Sequence, residues 1–130
     1  MSRAVLLIDD DEAIRLSLGE FLEEQGFAVL TACHGAEALE LLKKVERPAL
    51  ILLDFMMPVM NGNEFLAAMR ADPAIRGIPV VILSAWVREW TGHAVGVDHV
   101  LGKPFNTDRL LELVGRYCER NNARAEEPLT

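Results

Sequence analysis

Short apolar runs alternate with amphipathic stretches along most of the chain. Three runs, Ala4–Ile8, Leu50–Leu53 and Ile78–Leu83, are apolar almost throughout and end in polar or turn residues. Runs of this kind are typical of strands that are buried on both faces of a sheet. Phe27–Thr31 is a weaker run of this kind, and Val97–Leu101, which includes two polar residues, is predicted as the fifth strand. The pattern therefore predicts five strands.

Between these strands, apolar residues recur at helical spacing. Asp11 or Glu12 can cap the first helix, and Gly26 can end it. The other predicted helices are Ala36–Val45, a segment from Asn63 to just before Pro73, Trp86–Val95, and a segment capped by Asn106 or Thr107. The helix over Trp86–Val95 is predicted to be short or irregular, because it has no clean periodicity.

The alternation of strands and helices predicts an α/β fold with helices on both faces of a parallel sheet. The specific prediction is a doubly wound, five-stranded, flavodoxin-like sheet in the order 2-1-3-4-5, with five helices. Residues 1–120 are predicted to form this domain. Residues 121–130 are polar and aperiodic, which predicts a flexible C-terminal tail. The sequence leaves open whether the domain stands alone or was excised from a longer regulator.

Composition and charge narrow the possible partners. The chain is 51% hydrophobic and has a formal net charge of −7, which disfavours nonspecific binding to nucleic acid or to an anionic membrane. No apolar run approaches membrane-spanning length. Cys33 and Cys118 fit neither a disulfide framework nor a metal-ligand spacing, which suits a reducing cytosol. We therefore expect a cytoplasmic protein that contacts neither nucleic acid nor membrane.

Polar residues follow the predicted strands at the points where chemistry would be expected. Asp9 and Asp10 follow the first strand, Asp54 the third, Ser84 the fourth and Lys103 the fifth. The carboxyl ends of parallel strands meet at one edge of a sheet, where α/β proteins bind their ligands. We therefore expect three carboxylates, one hydroxyl and one ammonium group in a single cleft.

The charges of this cluster indicate its chemistry. Two like charges 4 Å apart repel by about 4 kcal/mol at an effective dielectric constant of about 20. The carboxylates therefore need a cation, and oxygen ligands favour Mg²⁺ or Ca²⁺. Lys103 can neutralise Asp54 or hold an anion placed on it. A carboxylate beside Mg²⁺ and a lysine is equipped to attack a phosphoryl group, and Ser84 can then donate to a phosphoryl oxygen.

With these residues in place, the chain resembles the receiver domain of two-component response regulators, in particular the chemotaxis-regulator type. The resemblance runs from Val5 to about Tyr117, on the motifs LLIDDDEAIR, LILLDFMMPVMNG, VVILSA and GKPF. It implies that Asp54 accepts a phosphoryl group from a histidine kinase or histidine phosphotransfer protein in a Mg²⁺-dependent reaction. It also implies a downstream protein target. Such a domain promotes its own phosphorylation and dephosphorylation, and is not an enzyme acting on a separate substrate.

The resemblance also implies individual roles. The expected metal ligands are Asp9, Asp10, Asp54 and the backbone carbonyl of Met56, with Asp10 the more direct ligand of the acidic pair and with Mn²⁺ or Ca²⁺ as possible substitutes. Ser84 matches the conformational-switch hydroxyl, and Lys103 the phosphate-contacting lysine. Val100 departs from the family, which often has Tyr or Phe there. The segment between Ser84 and Lys103 is the family's usual output face, and here it lacks that aromatic switch.

Two alternatives remain. A degenerate receiver would act only as a protein-interaction module, although all the acidic, hydroxyl and lysine positions are filled. A phosphatase of the haloacid-dehalogenase type would also use an aspartate nucleophile after a buried strand. That enzyme needs a second Asp two residues later, where this chain has Met56. Phosphorylation by acetyl phosphate would distinguish a phosphoacceptor from a degenerate receiver.

Overall fold

The computed structural model describes residues 4–54, 62–84, 99–102 and 106–118. The strands in these ranges are β1 (Val5–Ile8), β2 (Val29–Ala32), β3 (Leu50–Asp54), β4 (Val80–Ser84) and β5 (His99–Gly102). The helices are α1 (Glu12–Glu24), α2 (Gly35–Leu42), α3 (Gly62–Arg70) and α4 (Thr107–Tyr117). The helix predicted over Trp86–Val95 and the predicted tail lie outside the described residues. No described helix is long and apolar enough to cross a bilayer.

The five strands form one parallel sheet in the order β2-β1-β3-β4-β5. This order confirms the predicted doubly wound, flavodoxin-like sheet. In the register of the sheet, Ile8 of β1 is paired with Leu53 of β3. The next residues along the two strands are Asp9 and Asp54, so these two aspartates lie side by side at the carboxyl edge.

The sheet has a buried hydrophobic layer on each face. Successive side chains of a strand point to opposite faces, and β1 follows this rule. Leu6 and Ile8 pack in a cluster with residues of α2 and α3, whereas Val5 and Leu7 pack in a second cluster with residues of α1 and α4. Because helices cover both faces, the strands are apolar at nearly every position, which is why they were visible in the sequence.

The end of α1 explains why the second strand starts later than predicted. Gly26 has a φ of 96°, a left-handed conformation that glycine adopts without strain. Its N–H donates to the carbonyl of Glu23, and the N–H of Phe27 donates to the carbonyl of Leu22, both at 3.0 Å. These two bonds form a Schellman motif that ends the helix. Phe27 therefore belongs to the helix end, and β2 begins at Val29 and not at Phe27.

Other predicted bounds were also wrong by a few residues. The strand β4 begins at Val80 and not at Ile78, because the Ile78 N–H donates to the carbonyl of Ile75 in a turn. Further shifts are β1 beginning at Val5 and not at Ala4, α2 at Gly35–Leu42 for the predicted Ala36–Val45, α3 beginning at Gly62, one residue before Asn63, and β5 ending at Gly102 and not at Leu101. The predicted start of β5, Val97, lies outside the described residues. None of these shifts changes which strand ends meet at the carboxyl edge.

The buried face of α4 differs in part from the prediction. Asn106 caps this helix, and its side-chain oxygen accepts from the N–H groups of two first-turn residues. From the sequence, Leu110, Leu111, Val114 and Tyr117 are predicted to share one face of this helix. The structure buries Leu110, Leu113 and Val114, and leaves Leu111 and Tyr117 half-buried. The prediction therefore missed Leu113.

Cys118 follows α4 and is only 5% exposed. Burial raises the pKa of its thiol from 9.0 to about 12. Because folding favours the neutral thiol, this group contributes stability that is fully present below about pH 9 and is lost as the pH rises toward 12.

We expect Cys118 to react with a water-soluble aromatic disulfide at pH 8 only when α4 opens. In a Cys33→Ser variant, which removes the half-buried second thiol, the native chain should react at least ~100-fold more slowly than the urea-unfolded chain. The measurement is the absorbance of the released thiolate. Equal native and unfolded rates would show that Cys118 is accessible.

Candidate functional site

Three acidic side chains meet at the carboxyl edge of the sheet. Asp9, Asp10 and Asp54 each place one carboxylate oxygen within 4.8 Å of the other two. Asp9 is completely buried and Asp54 is 6% exposed, whereas Asp10 is exposed. Within the described ranges, no other group of three or more His, Cys, Asp or Glu residues comes together in this way. The structure thus assembles the carboxylates that the sequence placed at neighbouring strand ends.

Hydrogen bonds from three directions hold Asp9. Its N–H donates to the carbonyl of Ala32 in β2 at 3.1 Å. Its Oδ1 accepts from the N–H of Asp11 at 2.9 Å, which stabilises the turn after β1. Its carbonyl accepts from Nη1 of Arg15, in α1, at 2.8 Å. The first carboxylate of the cluster is therefore tied to the sheet, to its own turn and to the following helix.

Asp11 has a separate role, as the sequence predicted. It is the N-cap of α1, and its side chain accepts from the N–H of Ile14 at 3.2 Å. An aspartate at this position satisfies a free backbone donor and interacts favourably with the helix dipole. Of the three consecutive acids, the first two therefore belong to the carboxylate cluster and the third to the helix.

Asp54 is the last residue of β3, which lies in the centre of the sheet between β1 and β4. Two carboxylate charges 4.8 Å apart repel by about 3.5 kcal/mol at an effective dielectric constant of about 20. A nearly buried carboxylate with two carboxylate neighbours therefore favours a bound cation. Three carboxylate oxygens make a hard donor set that suits Mg²⁺, and they leave coordination positions for water or for phosphoryl oxygens. The residues present thus fit a divalent cation.

The other predicted site residues are only partly covered by the structure. Ser84 ends β4 and is paired with Gly102, the last residue of β5. Its backbone lies one residue beyond the partner of Asp54 in the register, at the same edge of the sheet. Lys103, which follows Gly102, and Met56 lie outside the described residues. The roles assigned to Lys103 and to the Met56 carbonyl stay predictions.

The contact of Arg15 with the Asp9 carbonyl was not predicted from the sequence. In the helical pattern of α1, Arg15 is only a polar residue after the acidic run. A periodic pattern does not reveal a contact between a side chain and a main-chain carbonyl. The position itself was the available signal. Arg15 lies one turn into the helix that follows the acidic pair, within side-chain reach of that turn.

Two side-chain hydrogen bonds hold the start of α2. His34 caps α2 and its Nδ1 accepts from the N–H of Glu37 at 3.1 Å, while the Glu37 carboxylate accepts from the N–H of Cys33 at 2.6 Å. The pKa of Glu37 is lowered, chiefly by the Cys33 N–H, with a smaller contribution from the positive charge of Arg15.

Residues 5–115 match the response regulator receiver domain family. Response regulator Rre1 of Synechocystis sp. is 36% identical over 129 residues, which cover 95% of this chain and 54% of that protein. DNA-binding response regulator MtrA of Mycobacterium tuberculosis is 33% identical over 133 residues, which cover 100% of this chain and 57% of that protein. The chain thus spans about half the length of these two curated relatives.

These relatives bear on the expectation that the protein makes no direct contact with nucleic acid. The net charge of −7 disfavours nonspecific nucleic-acid binding by this chain. However, MtrA is named as a DNA-binding protein, and the chain covers only part of its length. The expectation that the protein makes no direct contact with nucleic acid is therefore unsupported.

Solved structures resemble the chain over nearly its whole length. Chemotaxis protein CheY4 of Vibrio cholerae has a TM-score of 0.79 and 35% identity, with 90% of this chain and 99% of that chain covered. Response regulator TrrA of Thermotoga maritima, solved in a complex with Mg²⁺ and BeF, has a TM-score of 0.78 and 30% identity, with 90% and 99% covered. From the match over residues 5–115, the sheet order and these relatives, we conclude that the chain belongs to the receiver domains of two-component response regulators.

Proposed function

We propose that Asp54 is the phosphoacceptor of this receiver domain and takes its phosphoryl group from a histidine kinase or histidine phosphotransfer protein. One observation carries the proposal. A nearly buried carboxylate ends the central strand, and the carboxylates of Asp9 and Asp10 lie within 4.8 Å of it. Membership of the receiver family and the sequence motif around Asp54 support the same assignment.

The transfer is a substitution at phosphorus. One oxygen of the Asp54 carboxylate forms the new bond to phosphorus, while the bond from phosphorus to the donor's imidazole nitrogen breaks. The electron pair of the broken bond stays with the imidazole, which takes up a proton. With acetyl phosphate as the donor, the leaving group is acetate.

We assign the metal to Asp9, Asp10, Asp54 and the backbone carbonyl of Met56, with Asp10 as the more direct ligand of the pair. When bound, Mg²⁺ offsets the negative charge of these carboxylates and of the incoming phosphoryl oxygens, and Mn²⁺ or Ca²⁺ are possible substitutes. The close approach of the three carboxylates supports the part of this assignment that involves Asp9, Asp10 and Asp54. The relative TrrA, solved with Mg²⁺ and BeF, also supports it.

Lys103 and Ser84 complete the proposed site. The Lys103 ammonium group would contact the phosphoryl group, and the Ser84 hydroxyl would donate to a phosphoryl oxygen and couple phosphorylation to a change of conformation. The register supports both positions, because Ser84 ends β4 at the edge where Asp54 lies and Lys103 directly follows β5. Val100 provides no aromatic ring for the switch that the family often uses.

The domain would act as a signalling module and not as an enzyme on a separate substrate. Its phosphorylated form would regulate a downstream partner. We place this activity in the cytoplasm, which the two free thiols, Cys33 and Cys118, support.

Incubation with acetyl phosphate and Mg²⁺ should add one phosphoryl mass to the wild-type chain, as measured by intact mass spectrometry. Asp54→Asn should abolish this addition, because an amide is a far weaker nucleophile than a carboxylate. Asp72→Asn is the matched control: Asp72 holds a turn beyond α3, away from the carboxyl edge, and the amide keeps its acceptor for the Ala74 N–H.

Two outcomes would contradict the proposal. Equal phosphorylation of the wild type and of Asp54→Asn would place the phosphoacceptor elsewhere. No phosphorylation of the wild type would favour the degenerate receiver that acts only through protein binding.

A further inference from the structure

Arg15 contacts the main chain of Asp9, in the turn after β1. It is not one of the candidate metal ligands. Its Nη1 donates to the carbonyl of Asp9 at 2.8 Å, in a half-buried position. Its own N–H donates to the carbonyl of Asp11 at 3.0 Å, so its backbone is fixed in the first turn of α1. The guanidinium group therefore connects a rigid helix to the residue that begins the carboxylate cluster.

The carbonyl that Arg15 binds belongs to the peptide bond between Asp9 and Asp10. A peptide unit is planar, so its carbonyl oxygen and the Cα of the next residue lie in one plane. A hydrogen bond that fixes the Asp9 carbonyl therefore also restricts the position of the Asp10 Cα. This matters most for Asp10, because its side chain is exposed whereas that of Asp9 is buried.

We propose that Arg15 is a positioning residue for the divalent cation: its hydrogen bond to Asp9 holds the Asp9 and Asp10 carboxylates in the arrangement that binds the metal. This inference rests on the proposed function of the site. Groups that orient metal ligands from outside typically contribute 10–100-fold to metal affinity. Arg15 acts in this way on the main chain between the two ligands.

The direction in which Mg²⁺ affinity changes when Arg15 is removed distinguishes a positioning role from a purely electrostatic one. A guanidinium cation close to the site repels Mg²⁺, so if charge alone mattered, removing Arg15 would strengthen metal binding. Loss of the hydrogen bond would instead weaken binding, because Asp10 would have more orientations available. A purely structural role would lower the melting temperature of the metal-free chain and leave the Mg²⁺ affinity unchanged.

The test is isothermal titration calorimetry of the full chain with Mg²⁺ for four proteins. They are the wild type, Arg15→Met, Arg15→Lys and Arg116→Met. The methionine keeps the apolar stem of the side chain without its donors, and the lysine keeps a charge and a donor without the planar fork. Arg116→Met removes the same charge from the surface of α4, where Arg116 pairs with Glu112 at 3.5 Å.

We expect Arg15→Met to weaken Mg²⁺ binding by about 10-fold or more, Arg15→Lys to fall between it and the wild type, and Arg116→Met to stay within about two-fold of the wild type. Unchanged or tighter binding by Arg15→Met would overturn the proposal. If that variant does not fold, Arg15→Lys decides. Binding at least about three-fold weaker than in the wild type would support positioning, and wild-type affinity would overturn it.

Measurements on the wild-type chain distinguish a failure of this inference from a failure of the proposed function. If it binds Mg²⁺ and is phosphorylated while Arg15→Met binds equally well, only the role of Arg15 fails. If the wild-type chain binds no divalent cation, the metal assignment of the site fails and the role of Arg15 fails with it.

Discussion

Asp10→Asn is expected to melt at a higher temperature than the wild-type chain in the absence of divalent cations, and to lose most of the stabilisation that Mg²⁺ provides. The substitution removes one of three carboxylate charges whose oxygens lie within 4.8 Å of each other. Because Asp10 is exposed, solvent screens the repulsion. We therefore expect the free energy of unfolding to rise by roughly 1 kcal/mol, which is less than the repulsion between two carboxylates without this screening.

The rise in melting temperature that Mg²⁺ produces should be smaller in Asp10→Asn than in the wild type. A ligand that binds only the native state adds RT ln(1 + [L]/Kd), which is about 2.7 kcal/mol at a concentration 100 times the Kd. In wild type the melting temperature should therefore rise with Mg²⁺ in the millimolar range. Asp10→Asn should show a much smaller rise, since one ligand has lost its charge.

The adjacent residue provides the control for this experiment. Asp11→Asn makes the same change of charge one position along the chain, and asparagine caps helices about as well as aspartate. This variant should keep the full response to Mg²⁺. An Asp10→Asn chain that melts lower than wild type without metal and still responds fully to Mg²⁺ would contradict the metal assignment.

Leu22→Ala is expected to destabilise the fold by about 3–4 kcal/mol. Leu22 lies in α1, is completely buried and packs in the cluster between α1, α4 and the sheet. Its truncation removes buried apolar surface and leaves a cavity, because the surrounding backbone relaxes only in part. Domains of this size are typically stable by only about 5–15 kcal/mol, so the loss is a large fraction of the total.

The same helix contains a matched control. Leu16 is 58% exposed, so Leu16→Ala should change the free energy of unfolding by less than about 0.5 kcal/mol. Urea denaturation followed by circular dichroism would measure both variants. Similar losses for the two substitutions would show that the buried face of α1 is assigned wrongly.

The sequence predicted the sheet because burial on both faces leaves an unmistakable pattern. Leu50–Leu53 is apolar at every position and Asp54 ends it abruptly, so both the strand and its polar end were readable. The second strand was placed two residues early for a physical reason. Phe27 is buried, but its N–H is bound to the end of α1, and the register of β2 with β1 begins at Val29.

The candidate site was predictable where it depends on strand ends and not where it depends on side-chain contacts. Asp9 and Asp54 follow neighbouring strands, so topology alone brings them together. The bond from Arg15 to the Asp9 carbonyl depends on side-chain reach and rotamer, which leave no periodic pattern. The reciprocal bonds of Cys33, His34 and Glu37 at the start of α2 were missed for the same reason.

The proposed function requires Asp54 to carry the phosphoryl group. Borohydride reduces an acyl phosphate to an alcohol, so a phosphorylated aspartate becomes homoserine and its position can be found by peptide mass spectrometry. After treatment with acetyl phosphate and Mg²⁺ followed by borohydride, we predict homoserine at position 54 and at no other aspartate, and none when acetyl phosphate is omitted. Homoserine at Asp9, at Asp10 or at a surface aspartate, with position 54 unchanged, would contradict the assignment.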